Sequence, residues 1–186
     1  MADDQLEYFK ILLQHLGLSN EIIPTEIAPS EKFDDDSPGV TFEGRGTVAF
    51  NQTTSPRYIF GENIYQKRMK MSVKLKLVSF RKNRLFVGVR RAHLHSPRDS
   101  NQYHSSSGWV LGEGGIYNNE TLTIDKALKD RTKENDTVEL VFDCCFADLT
   151  LQLPDGQPYH MKLPKSPTWK LFVLLEPEDK IRIVND

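Results

Sequence analysis

Between residues 107 and 143 the chain switches pattern twice, and that switching limits it to a narrow set of folds. The segment opens SGWVLGEGGIYNNE: a tryptophan after a glycine, a glycine-rich turn, and a new run at Ile116-Tyr117. A charged, helix-like spacer follows. Then comes ENDTVELVFD, in which Val138, Leu140 and Phe142 alternate with Glu139, Val141 and Asp143. Neighbouring side chains of a strand point to opposite faces, so period-two alternation marks a half-buried strand. Tight turns between such runs indicate antiparallel pairing. The pattern suits a binding module better than a catalyst.

The same pattern recurs along the chain. From Met69 to Leu77, Met69, Met71, Val73, Leu75 and Leu77 take one face, while Lys70, Ser72, Lys74 and Lys76 take the other. Val40-Thr41-Phe42 and Thr47 to Phe50 read as short strands, and Leu85 to Val89 follows the turn Arg81-Lys82-Asn83. Leu149 to Leu153 and His160 to Leu163 flank a hairpin turn at Pro154-Asp155-Gly156. Trp169 to Leu175 and Lys180 to Val184 form a last pair. Arg98 to Ser107 reads as a polar surface loop, and Asp125 to Lys133 as one short helix inside a loop. Many short strands with frequent turns predict an all-β class, an antiparallel sandwich. The first thirty or so residues differ. Leu6, Phe9, Leu13 and Leu16 recur at helical spacing, with Asp3 or Asp4 as N-cap and Gly17 as stop. This predicts a short N-terminal helix that packs on the sandwich. The expected organisation is a helical segment and connector over 1–33, a linker or turn over 34–39, and the sandwich over 40–186.

Composition excludes several classes. A chain of 186 residues builds one domain with a sizeable core. A formal net charge of -2 gives no whole-chain attraction to nucleic acid or anionic membrane. No apolar run approaches the ~20 residues a membrane span needs. The opening MADDQLEYFK is acidic and unlike a signal peptide, and adjacent Cys144 and Cys145 cannot staple distant segments. Reduced thiols and a cytoplasmic or nuclear location are expected. The three Asn-x-Thr triplets, at Asn51, Asn119 and Asn135, read as chance occurrences. No nucleophile elbow, zinc-protease, phosphate-loop or dinucleotide motif is present, so no catalytic residue and no cofactor are assigned. His93, His95 and His104 have no acidic neighbour arranged to complete a metal site, and none is expected.

Three pieces in order, Leu85-Phe-Val-Gly-Val-Arg90, Gly108-Trp109-Val-Leu with Ile116-Tyr117-Asn118-Asn119, and Asn135-Asp-Thr-Val-Glu-Leu-Val-Phe-Asp143, resemble the B30.2/SPRY domain family. Trp169 to Val173 and Asp179 to Ile183 are similar to that family's final two strands. The resemblance spans roughly residues 38–184. Leu85 stands where many members carry Trp, and Asn135 where Gly is commoner. The resemblance implies a bent, concanavalin-like sandwich that binds proteins or short peptides through loops at one end. It also implies a role as a substrate receptor of a ubiquitin-ligase-type assembly.

Two surfaces follow as candidates. The first is a ligand-binding set made of Tyr103, in the loop before Gly108, with Arg81, Asn83 and Arg84 in one turn and Arg90 and Arg91 in another segment. Loop tyrosines and arginines are efficient contact residues, and the resemblance implies a similarly placed tyrosine that grips peptide. The second is a basic stripe over residues 67–91, which holds Lys67, Arg68, Lys70, Lys74, Lys76, Arg81, Lys82, Arg84, Arg90 and Arg91 and no acid. It supports an alternative reading as a polyanion or nucleic-acid surface. Trp109 is expected in the core.

Overall fold

The computed structural model describes residues 26–34, 37–81, 84–92, 106–118, 121–166 and 168–185. The expected N-terminal helix lies outside them. Fifteen strands follow in chain order: β1 (Glu26–Ile27), β2 (Val40–Glu43), β3 (Val48–Asn51), β4 (Arg57–Phe60), β5 (Tyr65–Gln66), β6 (Met69–Ser79), β7 (Leu85–Arg91) and β8 (Ser106–Leu111). They continue with β9 (Gly115–Asn118), β10 (Thr121–Ile124), β11 (Thr137–Asp143), β12 (Asp148–Gln152), β13 (Pro158–Lys162), β14 (Thr168–Leu175) and β15 (Lys180–Val184). The all-β expectation holds.

Two antiparallel sheets face each other. The first runs β13-β12-β11-β6-β15-β3-β2, with β1 added in parallel beside the start of β6. The second runs β10-β9-β8-β7-β14-β4, with β5 paired to the start of β14. The alternation read in β6 sends Met71, Val73, Leu75 and Leu77 inward. From β11, Val138, Leu140 and Phe142 join them; the opposing sheet supplies Leu85, Val87 and Val89 from β7 and Leu171 and Val173 from β14. Trp109 is buried in this core as expected, and Trp169 meets Phe142 edge-on with ring centroids 5.9 Å apart. Each such large side chain stabilises the fold by about 1.5–3 kcal/mol through apolar burial.

The connector before β2 is woven into the sandwich. Phe33 bridges to Gly61 and buries its ring in the core. The Asp34 N–H donates to the Phe60 carbonyl (2.9 Å), and the Glu62 N–H donates to that of Lys32 (2.8 Å). The strap therefore runs from the start of β6 in the first sheet to the end of β4 in the second.

Two expectations fail. Residues 125–133 form turns, not a helix. The Leu128 N–H reaches back three residues to Asp125 (3.1 Å), Asp130 takes a left-handed conformation (φ 58°), and its N–H is diverted to Gly112 (3.2 Å). That diversion ends the helical ladder. Ser106 and Ser107, read as the end of a polar loop, are the buried start of β8; β7 pairs with them through Arg90 and Val89. The partner strand overrides their loop-like composition.

Candidate ligand-binding face

The outer face of an antiparallel sheet is ordinarily solvated and polar. In the second sheet it is not. Register carries one row from Leu122 through Tyr117, Gly108, Gly88 and Phe172 to Phe60. The next row runs from Ile124 through Gly115, Val110, Phe86 and Leu174 to Tyr58. No charged residue interrupts either row. At ~4.8 Å between strands, the band spans about 24 Å.

The rings within it interlock. Phe172 lies 5.3 Å from Phe60 and 5.5 Å from Phe86, and Phe86 meets Tyr117 edge-on at 6.1 Å. Gly88 and Gly108 pair directly beneath them. A Cβ on Gly108 would strike the Val87 carbonyl oxygen and, at 2.9 Å, the Phe86 ring. The paired glycines lower the sheet floor and let Phe86 lie across it. Phe86, Val110, Phe172 and Leu174 are buried, but the band surfaces at the edge strand β10, where Leu122 is 49% and Ile124 61% exposed.

The structure divides the six sequence-predicted residues. Arg84 and Arg90 share the outward parity of Phe86 and Gly88 and so bracket the band at its two lips, roughly 20 Å apart along the strand. The Arg90 guanidinium stands 5.6 Å from the centre of the Phe172 ring, a cation–π contact on a buried side chain. Arg84 faces two acids, Glu113 (3.5 Å) and Glu176 (3.8 Å). Arg81 is turned away: it pairs with Glu178 (3.3 Å), and its backbone N–H donates to Asp179 (3.2 Å). Arg91 has the opposite parity and pairs with Trp169 at the strand's end. The turn and strand arginines thus do not converge on one sandwich end, because the length of β7 lies between them. Asn83 and Tyr103 fall outside the described residues, as do His93, His95 and His104.

The β6 part of the basic stripe faces acids on its neighbour strand. Register sets Lys70 opposite Asp143 and Lys74 opposite Glu139, and Ser72 Oγ donates to Glu139. Among the described residues no group of three or more His, Cys, Asp or Glu side chains is placed to hold a metal ion. Asn51 is buried with its amide donating to the Ser55 and Leu175 carbonyls, a structural role that leaves no access to it.

One buried acid pair lies beneath the strap. Glu31 accepts the N–H groups of Lys32 (3.0 Å) and Asn63 (3.2 Å) on one oxygen and the Tyr65 hydroxyl on the other. Burial raises the Glu31 pKa despite these hydrogen bonds, and burial followed by the Glu31 charge raises that of Tyr65. This pair ties the strap to β5. Its saturated hydrogen bonding marks it as structural.

Sequence reading missed the band. The signal was present: Leu85 to Val89 and Leu171 to Leu175 are continuous apolar runs, and continuous runs indicate burial on both faces.

No family model and no curated protein matches the sequence. Solved structures do resemble it. The SPRY domain of human HERC1 aligns with a TM-score of 0.64 at 18% identity, covering 82% of this chain and 97% of that one. The TRIM65 PSpry domain aligns with a TM-score of 0.67 at 14% identity, covering 85% and 93%. The chain has the fold of a divergent SPRY-like domain.

Proposed function

We propose that the chain is a protein- or peptide-binding module and not a catalyst, with the β10 end of the apolar band, where Leu122 and Ile124 are exposed, as its contact surface. The carrying observation is the pair of charge-free rows across six strands, exposed at Leu122 and Ile124 and flanked by Arg84 and Arg90. An apolar patch with arginine at its rim is the composition of an interaction hot spot. β7 and β8 pair with each other beneath this band. The resemblance to SPRY domains supports the same class by analogy. Within it, the finer reading is recognition of a short peptide, as a substrate receptor in a ubiquitin-ligase-type assembly.

Display selection with randomised peptides against the intact chain tests the reading. One set of selected peptides should lose binding to a Leu122→Glu, Ile124→Glu variant whose melting temperature is unchanged. A selection in which no enriched peptide loses binding to that variant refutes the surface, and a selection that enriches nothing refutes the module. The polyanion alternative is disfavoured by the acids set opposite Lys70 and Lys74. It predicts retention on heparin with steep salt dependence.

A further inference from the structure

A second recess lies away from the band, between the β5–β6 turn, the β11–β12 turn and the segment before β14. Its volume is about 530 Å³, inside the ~300–1,000 Å³ span of ligand sites. Trp169 and Ala147 line it, Phe146 stands at its lip, and Lys67 and Lys165 flank it.

Phe146 is the most exposed large apolar side chain among the described residues, at 72%. It is held there by its backbone. Asp143 Oδ1 accepts the N–H groups of Cys145 (2.9 Å) and Phe146 (3.2 Å). The Cys144 N–H donates to the Met69 carbonyl (3.1 Å), and the Leu163 N–H donates to that of Ala147 (2.8 Å). The turn is therefore fixed from within and from both sides, so presenting the ring to a partner costs little ordering entropy. The charge around it is unbalanced. Lys162 is matched by Asp148 (3.3 Å), whereas Lys67, Arg68 and Lys165 are exposed and form no ion pair with the described residues.

We propose that this recess is a second docking site, for an acidic peptide that inserts one bulky apolar side chain beside Phe146. The uncompensated cations select the acidic flanks, and the Trp169-floored hollow selects the anchor. Of the two aromatic rings at the recess, Trp169 is buried and Phe146 alone is exposed, which offers no stacking track for successive bases and disfavours single-stranded nucleic acid.

The test applies a randomised twelve-residue peptide display library to the intact chain, then titrates the enriched peptides and a short oligothymidylate. Enriched peptides of this class should carry acidic residues on both sides of one Phe, Trp, Leu or Met. Their affinity should fall at least about tenfold on Phe146→Ser and on Lys67→Glu with Lys165→Glu, since aromatic anchors and desolvated charges dominate such contacts. They should be unaffected by the Leu122→Glu, Ile124→Glu variant, so this site and the band succeed or fail separately. The absence of any enriched peptide with that signature, or unchanged binding of the peptides that carry it to Phe146→Ser, overturns the proposal. Tighter binding of oligothymidylate than of every enriched peptide overturns it in favour of nucleic acid. The substituted side chains are exposed, and unchanged melting temperatures confirm that each variant is folded.

Discussion

Glu31 offers the sharpest test of how the strap is held. Two substitutions separate its charge from its hydrogen bonding. Glu31→Gln removes the charge but keeps an oxygen for the Lys32 and Asn63 N–H groups and turns an amide toward the Tyr65 hydroxyl. Glu31→Ala removes every acceptor. The Tyr65 hydroxyl, on a fully buried residue, is then stranded, at about 1–3 kcal/mol. The two N–H groups lose partners at about 0.5–1.5 kcal/mol each, less where water reaches them. The alanine variant should therefore be less stable than the glutamine variant by about 3 kcal/mol, or about 6–12 °C in melting temperature for a domain of this size. Charge is read from the wild type against Glu31→Gln across pH. Burial raises the Glu31 pKa, so between the ordinary carboxylate value and its raised value the folded state binds more protons than the unfolded state. Stability relative to Glu31→Gln is then greatest below the ordinary value and declines as pH rises through the raised one. Urea denaturation between about pH 4 and pH 7 measures both. Alanine and glutamine variants within about 1 kcal/mol of each other refute the stranded-donor argument. A wild type that gains on Glu31→Gln as pH rises refutes the assigned direction.

Two further outcomes follow. Burial, with smaller contributions from Asp143 and Cys145, pushes the Cys144 thiol up to about 12. In a Cys145→Ser variant at pH ~8, Cys144 should alkylate roughly 100-fold more slowly than an unstructured cysteine; its scarcer thiolate is partly offset by higher nucleophilicity. Iodoacetamide kinetics followed by mass spectrometry decide this, and an ordinary rate refutes the burial. Gly108→Ala should cost more than about 3 kcal/mol or prevent folding, because the new methyl meets the backbone of Val87 and Gly88 first and the buried Phe86 ring next. Gly156→Ala should cost only about 1–2 kcal/mol, since nothing lies near its Cβ and only its φ of 81° is unfavourable. Equal effects at the two glycines refute the close approach of β7 and β8.

How much was legible depended on whether a feature is local in the chain. The alternation of Met69 to Leu77 is a property of one strand, so the sequence reading names the buried face of β6 correctly, and Trp109 falls in the core as its context implies. Turn chemistry at Pro154-Asp155-Gly156 placed the β12–β13 hairpin for the same reason. Features that need a neighbour strand were lost. Lys74 looks unopposed along its own strand, and only register reveals Glu139 beside it. The 125–133 spacer has helical composition, but a hydrogen bond to distant Gly112 decides its shape.

The band shows the same limit from the functional side. Arg84 and Arg90 were singled out for chemistry, and the structure does put both on one face. Grouping Arg84 with Arg81, and Arg90 with Arg91, relied on closeness in sequence. In a strand the relevant relation is parity: residues two apart share a surface and adjacent residues do not. Parity joins Arg84, Phe86, Gly88 and Arg90, and register extends that line across the sheet to Ile124 and Leu122. The band is thus a set of positions two apart on six strands, none of which is unusual by itself. What distinguishes it in the sequence is the loss of alternation in β7 and β14, where an outer face that could have been polar is apolar.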